Sequence, residues 1–161
     1  MQAVAFSPDG RLVAAAGRDG AVQVWPVAGG EPTRMDAHAG WARAVAFSPD
    51  GCLLASAGDD SLVRLRDTGT WTVKATLKGH AKWVKSVAFS PDGTRLASAD
   101  DGGSVKVWDV ASGRDLVGWP AHGSVIWAVV FSPDGQVIAS GSADGTVKLW
   151  RSYDPAPGGK P

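Results

Sequence analysis

The segment Phe-Ser-Pro-Asp-Gly recurs four times, at Phe6–Gly10, Phe47–Gly51, Phe89–Gly93 and Phe131–Gly135. Successive copies are offset by 41, 42 and 42 residues. Other landmarks keep step with it. Nineteen residues after each Phe stands Trp25, Arg66, Trp108 or Trp150, and nine residues before the last three stands His38, His80 or His122. A period of about 40 residues points to a propeller or a solenoid, in which each repeat buries its faces only against its neighbours.

Each repeat reads as short strands. A first strand runs up to the Phe, as in Val45-Ala46-Phe47. Ser-Pro-Asp-Gly then makes a tight turn: Pro presets φ at its second position, and Gly takes the left-handed conformation that closes a hairpin. A second strand is expected at Leu53–Ala57, a third at Val147–Trp150, and a more polar fourth at Trp71–Leu77. The inner two are almost continuously apolar, as expected of sheets covered on both faces. Twenty-one glycines and ten prolines fit the many turns this requires, and no stretch shows helical periodicity.

Lys+Arg and Asp+Glu number 16 each, which argues against bulk attraction to nucleic acid or to an anionic membrane. Apolar runs such as Val125 to Phe131 fall far short of the roughly 20 residues that span a bilayer. The opening MQAVAFSPDG lacks the basic, apolar and cleavage regions of a secretory signal. Cys52 is the lone cysteine, which fits a reducing compartment. These features together read as a soluble cytoplasmic protein.

Gly79-His80, the FSPDG turns, Leu96-Ala97-Ser98 and Val107-Trp108-Asp109 together resemble the WD-repeat family, over residues 1–151. The FSPDG and LASAG wording resembles that of bacterial members. The resemblance implies an all-β fold of β-propeller blades, each a four-stranded antiparallel sheet. Four blades are expected, at approximately 1–37, 38–79, 80–121 and 122–151. The last lacks its outer strand, so the whole is a partial propeller. Residues 152–161, with three prolines and two glycines, read as a disordered tail.

The resemblance also implies a structural tetrad in each blade: Trp to Ser, Ser to His, His to Asp. Repeat 4 carries a full set in His122, Ser140, Asp144 and Trp150. Repeat 2 has His38, Ser56 and Asp60, with Arg66 in place of Trp. Repeat 3 has His80, Ser98 and Trp108, but Gly102 falls where Asp aligns, and Asp101 stands one residue early. Repeat 1 has Asp19 and Trp25, with Ala15 for Ser and no preceding His. Ser, His and Asp together also suggest nucleophilic catalysis. Burial between strands accounts for them without it, and no G-x-S-x-G elbow surrounds Ser140. The reading assigns no catalytic residue, no cofactor and no metal, since the three histidines occupy equivalent places in successive blades and do not converge.

Partners of the family meet the narrower face of the ring. Carried over by spacing, the corresponding positions hold Trp41 and Arg43, Trp83 and Lys85, Val125 and Trp127, with Gln2 in repeat 1. The loop before the tetrad Asp adds Arg18, Asp59 and Ala143, and in repeat 3 either Asp100 or Asp101. Trp and Arg are the side chains most enriched at binding hot spots. Trp71 and Trp119 read as packing on outer strands. The function implied is a non-catalytic scaffold that binds a protein or peptide, with a propeller-based enzyme or a purely structural element as alternatives. Four blades cover only part of a ring. The chain is then a fragment of a longer protein, such as one carrying a kinase or NTPase, half of an eight-bladed homodimer, or a strained four-bladed ring.

Overall fold

The computed structural model describes residues 1–152, so the reading of the tail lies, but for Ser152, outside the described residues. Fifteen strands and no helix make up the described chain. Blade 1 is β1 (Ala3–Phe6), β2 (Leu12–Ala16), β3 (Ala21–Pro26) and β4 (Thr33–Asp36). Blade 2 is β5 (Ala42–Phe47), β6 (Leu53–Gly58), β7 (Val63–Asp67) and β8 (Val73–Leu77). Blade 3 is β9 (Val84–Phe89), β10 (Arg95–Asp100), β11 (Ser104–Asp109) and β12 (Asp115–Pro120). Blade 4 is β13 (Ile126–Phe131), β14 (Val137–Ser142) and β15 (Val147–Arg151). Every sheet is an antiparallel meander in chain order, and β15 is an open edge among the described residues.

The recurrent turn is built identically four times. The Gly N–H donates to the Ser carbonyl at 2.8–2.9 Å, and Gly10, Gly51, Gly93 and Gly135 hold φ of 69–73°. The Ser hydroxyl donates to the Asp carboxylate two residues on, at 2.5–2.6 Å, and accepts the N–H that opens the next strand at 2.9 Å. A left-handed φ is strained for residues with a Cβ, so the motif requires glycine at its end. The Ser90 hydroxyl, the first cause, and the Thr94 N–H draw the Asp92 carboxyl down to about 2.

Alternation along the inner strands divides each sheet between two neighbours. Three apolar layers result, one per blade junction. Ala14, Ala16, Val22 and Val24 of blade 1 meet Val45 and Leu54 of blade 2. Ala55, Ala57, Val63 and Leu65 meet Val87, Leu96 and Trp108 of blade 3. Ala97, Ala99, Val105 and Val107 meet Ile126, Val129 and Ile138 of blade 4. Small Ala on the one side lets the blades approach closely, and the larger residues opposite fill the space. First strands carry the junctions: β1 packs on β5, β5 on β9 and β9 on β13. No contact of that extent joins β1 to blade 4 among the described residues, so the four blades form an open arc rather than a closed ring.

Candidate functional site

Two polar systems run through the arc, one buried and one at its surface. The buried system is the tetrad. In blade 4 the Trp150 indole donates to Ser140 Oγ at 2.9 Å. Ser140 Oγ and His122 Nε2 lie 2.8 Å apart, and His122 Nδ1 lies 2.9 Å from Asp144. An ionised carboxylate only accepts, so Nδ1 carries the proton and Nε2 accepts from the serine. The serine oxygen is buried, with the indole on one side and the imidazole on the other. Such an oxygen is a satisfied core group and not a nucleophile poised toward a cleft. Thr146 Oγ1 donates to Asp144 at 2.6 Å; this bond first, offset in part by burial and aided by the one from His122, holds the carboxyl well below its usual range.

Blade 3 corrects the spacing argument. Its carboxylate is Asp100, 2.7 Å from His80 Nδ1, and neither Asp101 nor the Gly102 position takes that place. The pairing of β9 with β10 slips between Ala99 and Asp100, as it does at the matching place in blades 2 and 4, and Asp100 stands where those blades have Gly58 and Ser142. Gly102 and Ser104 N–H groups donate to its other oxygen, each at 2.9 Å. Burial works to raise the Asp100 carboxyl, and these hydrogen bonds together with that of His80 bring it below its ordinary value. His80 Nε2 meets Ser98 Oγ at 2.7 Å, and the Trp108 indole donates to the same oxygen at 2.8 Å. Blade 3 thus has all four members, where the sequence offered three.

Blade 2 has three. His38 bridges Ser56 at 2.9 Å and Asp60 at 2.8 Å. Arg64, which no spacing rule singled out, reaches Asp60 at 2.7 Å and lies 2.9 Å from His38 Nδ1. Arg66 is buried in the Trp place; its Nε has no partner, and its Nη1 makes one long contact of 3.5 Å with the Trp71 carbonyl. In blade 1 Asp19 pairs instead with Arg34 at 2.8 Å, and a cavity of ≈170 Å³ lies beside Ala15, Asp19 and Trp25.

The surface system is a ladder of alternating cations and indoles. Arg18 lies 4.6 Å from the Trp41 ring centre, and Arg43 lies 4.2 Å from it on Trp41 and 5.5 Å from Trp83. Lys85 follows, 5.1 Å from Trp83 and 5.5 Å from Trp127. Such stacking is favourable because the ring face is electron-rich. Two cations are also neutralised within their own blades. Arg43 binds Asp59 through two nitrogens, at 2.6 and 3.0 Å, and Lys85 binds Asp101 at 3.1 Å. Seven of the strip residues carried over by spacing, Arg18, Trp41, Arg43, Asp59, Trp83, Lys85 and Trp127, therefore fall in one continuous chain of contacts across four blades, of which Gln2, Val125 and Ala143 are not members. Asp101 joins them as the blade 3 counterpart of Asp59. The Arg43 and Lys85 side chains are largely covered, whereas Trp83 is 47% exposed and Trp127 60%.

The other candidates fall outside this chain. Trp119 packs on Trp150, ring centres 5.5 Å apart, and its buried indole N–H lacks a partner. Trp71 lies against the blade 1–blade 2 layer, with φ of 59°. No helix is long and apolar enough to cross a membrane among the described residues. Among them, too, no three His, Cys, Asp or Glu side chains converge as metal ligands.

A search of curated proteins found no match. The family model described as WD domain, G-beta repeat, matches residues 2–26, 30–67, 71–109 and 113–151. The matched units are offset from the sheets by one strand: residues 30–67 take in β4 of blade 1 and then β5–β7 of blade 2. A sequence repeat therefore ties two adjacent blades together. On four matches that cover most of its length, the chain belongs to the WD-repeat family.

Proposed function

We propose that this chain is a non-catalytic protein-interaction scaffold whose docking strip is the ladder from Arg18 to Trp127. WD-repeat domains serve in general as protein-interaction modules without catalysis of their own, and the proposal adds the place. One observation carries it: the ladder exposes two large indoles, Trp83 and Trp127, while Arg43 and Lys85 beneath them are held by Asp59 and Asp101. Rigid aromatic groups on a pre-ordered base lose little entropy on binding, which favours them as anchors. The partner is a protein or peptide. Two of the strip's three cations are paired with carboxylates, which gives nucleic acid or an anionic membrane little to hold. A cytoplasmic setting is part of the proposal, supported by the single exposed thiol of Cys52. The arc itself is part of a larger ring, completed by further blades.

The strip is tested with peptides selected from a displayed library against the folded chain. Trp127→Ala and Trp83→Ala are expected to weaken the selected peptides by about 2 kcal/mol, roughly thirtyfold, without lowering the melting temperature. Affinity unchanged in both variants would move the docking site off the strip.

A further inference from the structure

The junction between blades 2 and 3 lies inside the arc, and it is built differently from the junctions on either side of it. At those two junctions a glycine meets the segment that bears the next blade's His. A Cβ at Gly20 would fall 2.2 Å from the His38 carbonyl oxygen and 2.5 Å from that of Gly40. A Cβ at Gly103 would fall 2.1 Å from the His122 carbonyl oxygen and 2.9 Å from that of Ser124. No side chain fits such a space. Between blades 2 and 3 the matching residue is Ser61, which brings both a Cβ and a hydroxyl. The segment bearing His80 makes no backbone hydrogen bond to the Ser61 carbonyl among the described residues. A cleft of ≈300 Å³ opens there, lined by Ser61, Ala81, Lys82, Trp83 and Asp101.

The charges around this cleft do not cancel. Asp101 is bound by Lys85, and Asp59 and Asp60 of the blade 2 loop are bound by Arg43 and Arg64. Lys82 has no carboxylate partner among the described residues. Its stem lies across Gly102, where a Cβ would come within 3.0 Å of Lys82 Cγ, and Gly102 takes the place that Asp60 holds in blade 2. Ser61 bonds through its backbone N–H to the Gly58 carbonyl, while its hydroxyl has no partner among the described residues. The half-exposed Trp83 indole supplies an apolar wall. The geometry points to this cleft as the pocket for one acidic side chain, Asp or Glu, of the docked peptide, with its carboxylate on the Lys82 ammonium and the Ser61 hydroxyl and its stem against Trp83. Both groups donate and an ionised carboxylate only accepts, so the three are complementary. A volume at the lower end of the roughly 300–1,000 Å³ of ligand pockets suits one side chain rather than a free small molecule. One ammonium balances one carboxylate and leaves much of a phosphate's charge of about −2 unmet, which favours Asp or Glu over a phosphorylated residue. This inference rests on the reading of the strip as a peptide-docking surface and adds the chemistry of the peptide.

The test uses the peptides selected from the displayed library on the folded chain, resynthesised with each acidic residue changed in turn to its amide. The selected peptides are expected to share an Asp or Glu, and its change to the amide is expected to weaken binding about five- to tenfold. Lys82 is exposed, so Lys82→Ala is expected to keep the parent melting temperature. That variant is expected to weaken the acidic peptide by the same factor and to leave the amide version unchanged, and Lys82→Arg is expected to retain the preference. Selected peptides that share no acidic residue would overturn the inference, as would a Lys82→Ala loss equal for the acidic and amide versions. Tighter binding of a peptide with phosphoserine at that place would overturn it too, and would assign the cleft to a phosphorylated segment. Trp127→Ala lies outside the cleft and reads the strip alone. Peptides weakened by Trp127→Ala but not by Lys82→Ala leave the strip standing without the cleft, whereas peptides indifferent to both Trp127→Ala and Trp83→Ala remove the strip itself.

Discussion

Blades 2 and 3 are neighbours with the same strand order, yet they settle their interiors differently. Blade 3 closes its tetrad with Trp108, fully buried and hydrogen-bonded to Ser98. Blade 2 has Arg66 in that place, a buried cation with an unpaired Nε and no carboxylate partner among the described residues. Burial pushes the Arg66 guanidinium below its ordinary value, and nearby Arg64 adds to the effect. The loops differ as well. Gly20, Gly103 and Gly145 hold φ of 81–83° in blades 1, 3 and 4, and the matching residue in blade 2 is Ser61, at 62°. The carbonyls of Gly20 and Gly103 each accept two N–H groups from the segment bearing the next blade's His. Ser61 makes no such pair among the described residues, so the junction from blade 2 to blade 3 lacks it. One repeat can thus lose its indole and its glycine and still form a four-stranded sheet, because the apolar layers on its two faces, and not the polar network, dominate its burial.

The contrast is broken most strongly at the tetrad. Trp108→Phe removes the donor to Ser98 and part of a fully buried ring, and is expected to cost about 2–3 kcal/mol. Arg66→Phe removes a buried donor that is already unpaired, and is expected to lie within about 0.5 kcal/mol of the parent chain. Denaturant melts of the two variants measure the difference. Equal losses would show that the network, once formed, contributes nothing beyond packing.

A smaller effect is expected in the loop. A Cβ-bearing residue in the left-handed region costs about 1 kcal/mol relative to glycine there, although Gly also enlarges the unfolded ensemble. Ser61→Gly is expected to raise stability by about 0.5–1 kcal/mol and to leave blade 3 unchanged. The reverse change in blade 3, Gly103→Ser, is the control. A Cβ at Gly103 would lie 2.1 Å from the His122 carbonyl oxygen, so that variant loses more than Ser61→Gly gains. A Ser61→Gly chain no more stable than the parent would mean that the serine is held there by contacts that outweigh its backbone strain.

Much of this was legible in the sequence, for reasons that also mark where legibility stopped. The FSPDG spacing sets the strand order, since the turn chemistry is local and is satisfied within six residues each time. Ser, His and Trp of the tetrad lie on regular strands or at fixed distances from them, so their spacing carried over. The carboxylate lies in the turn in blades 2 and 4 but ends strand β10 in blade 3, so its place in the repeat is not fixed. Blade 2 uses Asp60 inward and Asp59 on the strip, whereas blade 3 uses Asp100 inward and Asp101 on the strip. The same register slip occurs in both blades; what differs is that the inward carboxylate stands two positions earlier in blade 3, at the place of Gly58, while Gly102 takes the place of Asp60. The strip residues were carried over by spacing from the family resemblance, but their union into one ladder depends on the approach of successive blades. The same approach covers Arg43 and Lys85, which leaves Trp83 and Trp127 as the exposed members.

The smallest effect expected separates the blades by pH. Burial, the first cause, holds the His38 imidazole below its ordinary 6.5; Asp60 opposes the shift, and Arg64 and Arg66 reinforce it. A group whose folded pKa is depressed binds more protons when the chain unfolds. Its contribution to stability is therefore complete above about 6.5 and is lost as the pH falls through the folded value. For Asp60, burial acts to raise the carboxyl and the bonds from His38 and Arg64 more than offset it, leaving it below 3.8. Asp60 and Asp100 thus add stability that is present above 3.8 and is lost only in stronger acid. The two windows do not coincide, which lets the imidazole be read alone. Denaturation midpoints between pH 7.5 and 5 are expected to fall with acid in the parent chain, and to fall less steeply in His38→Gln, whatever that variant's absolute stability. Below pH 4 both chains are expected to lose stability together, as the carboxylates of blades 2 and 3 take up protons. Replacing Arg66 by Met removes one of the two cations acting on His38 and is expected to narrow the upper window. Identical slopes in parent and His38→Gln between pH 7.5 and 5 would show that the buried imidazole of blade 2 does not set the acid response.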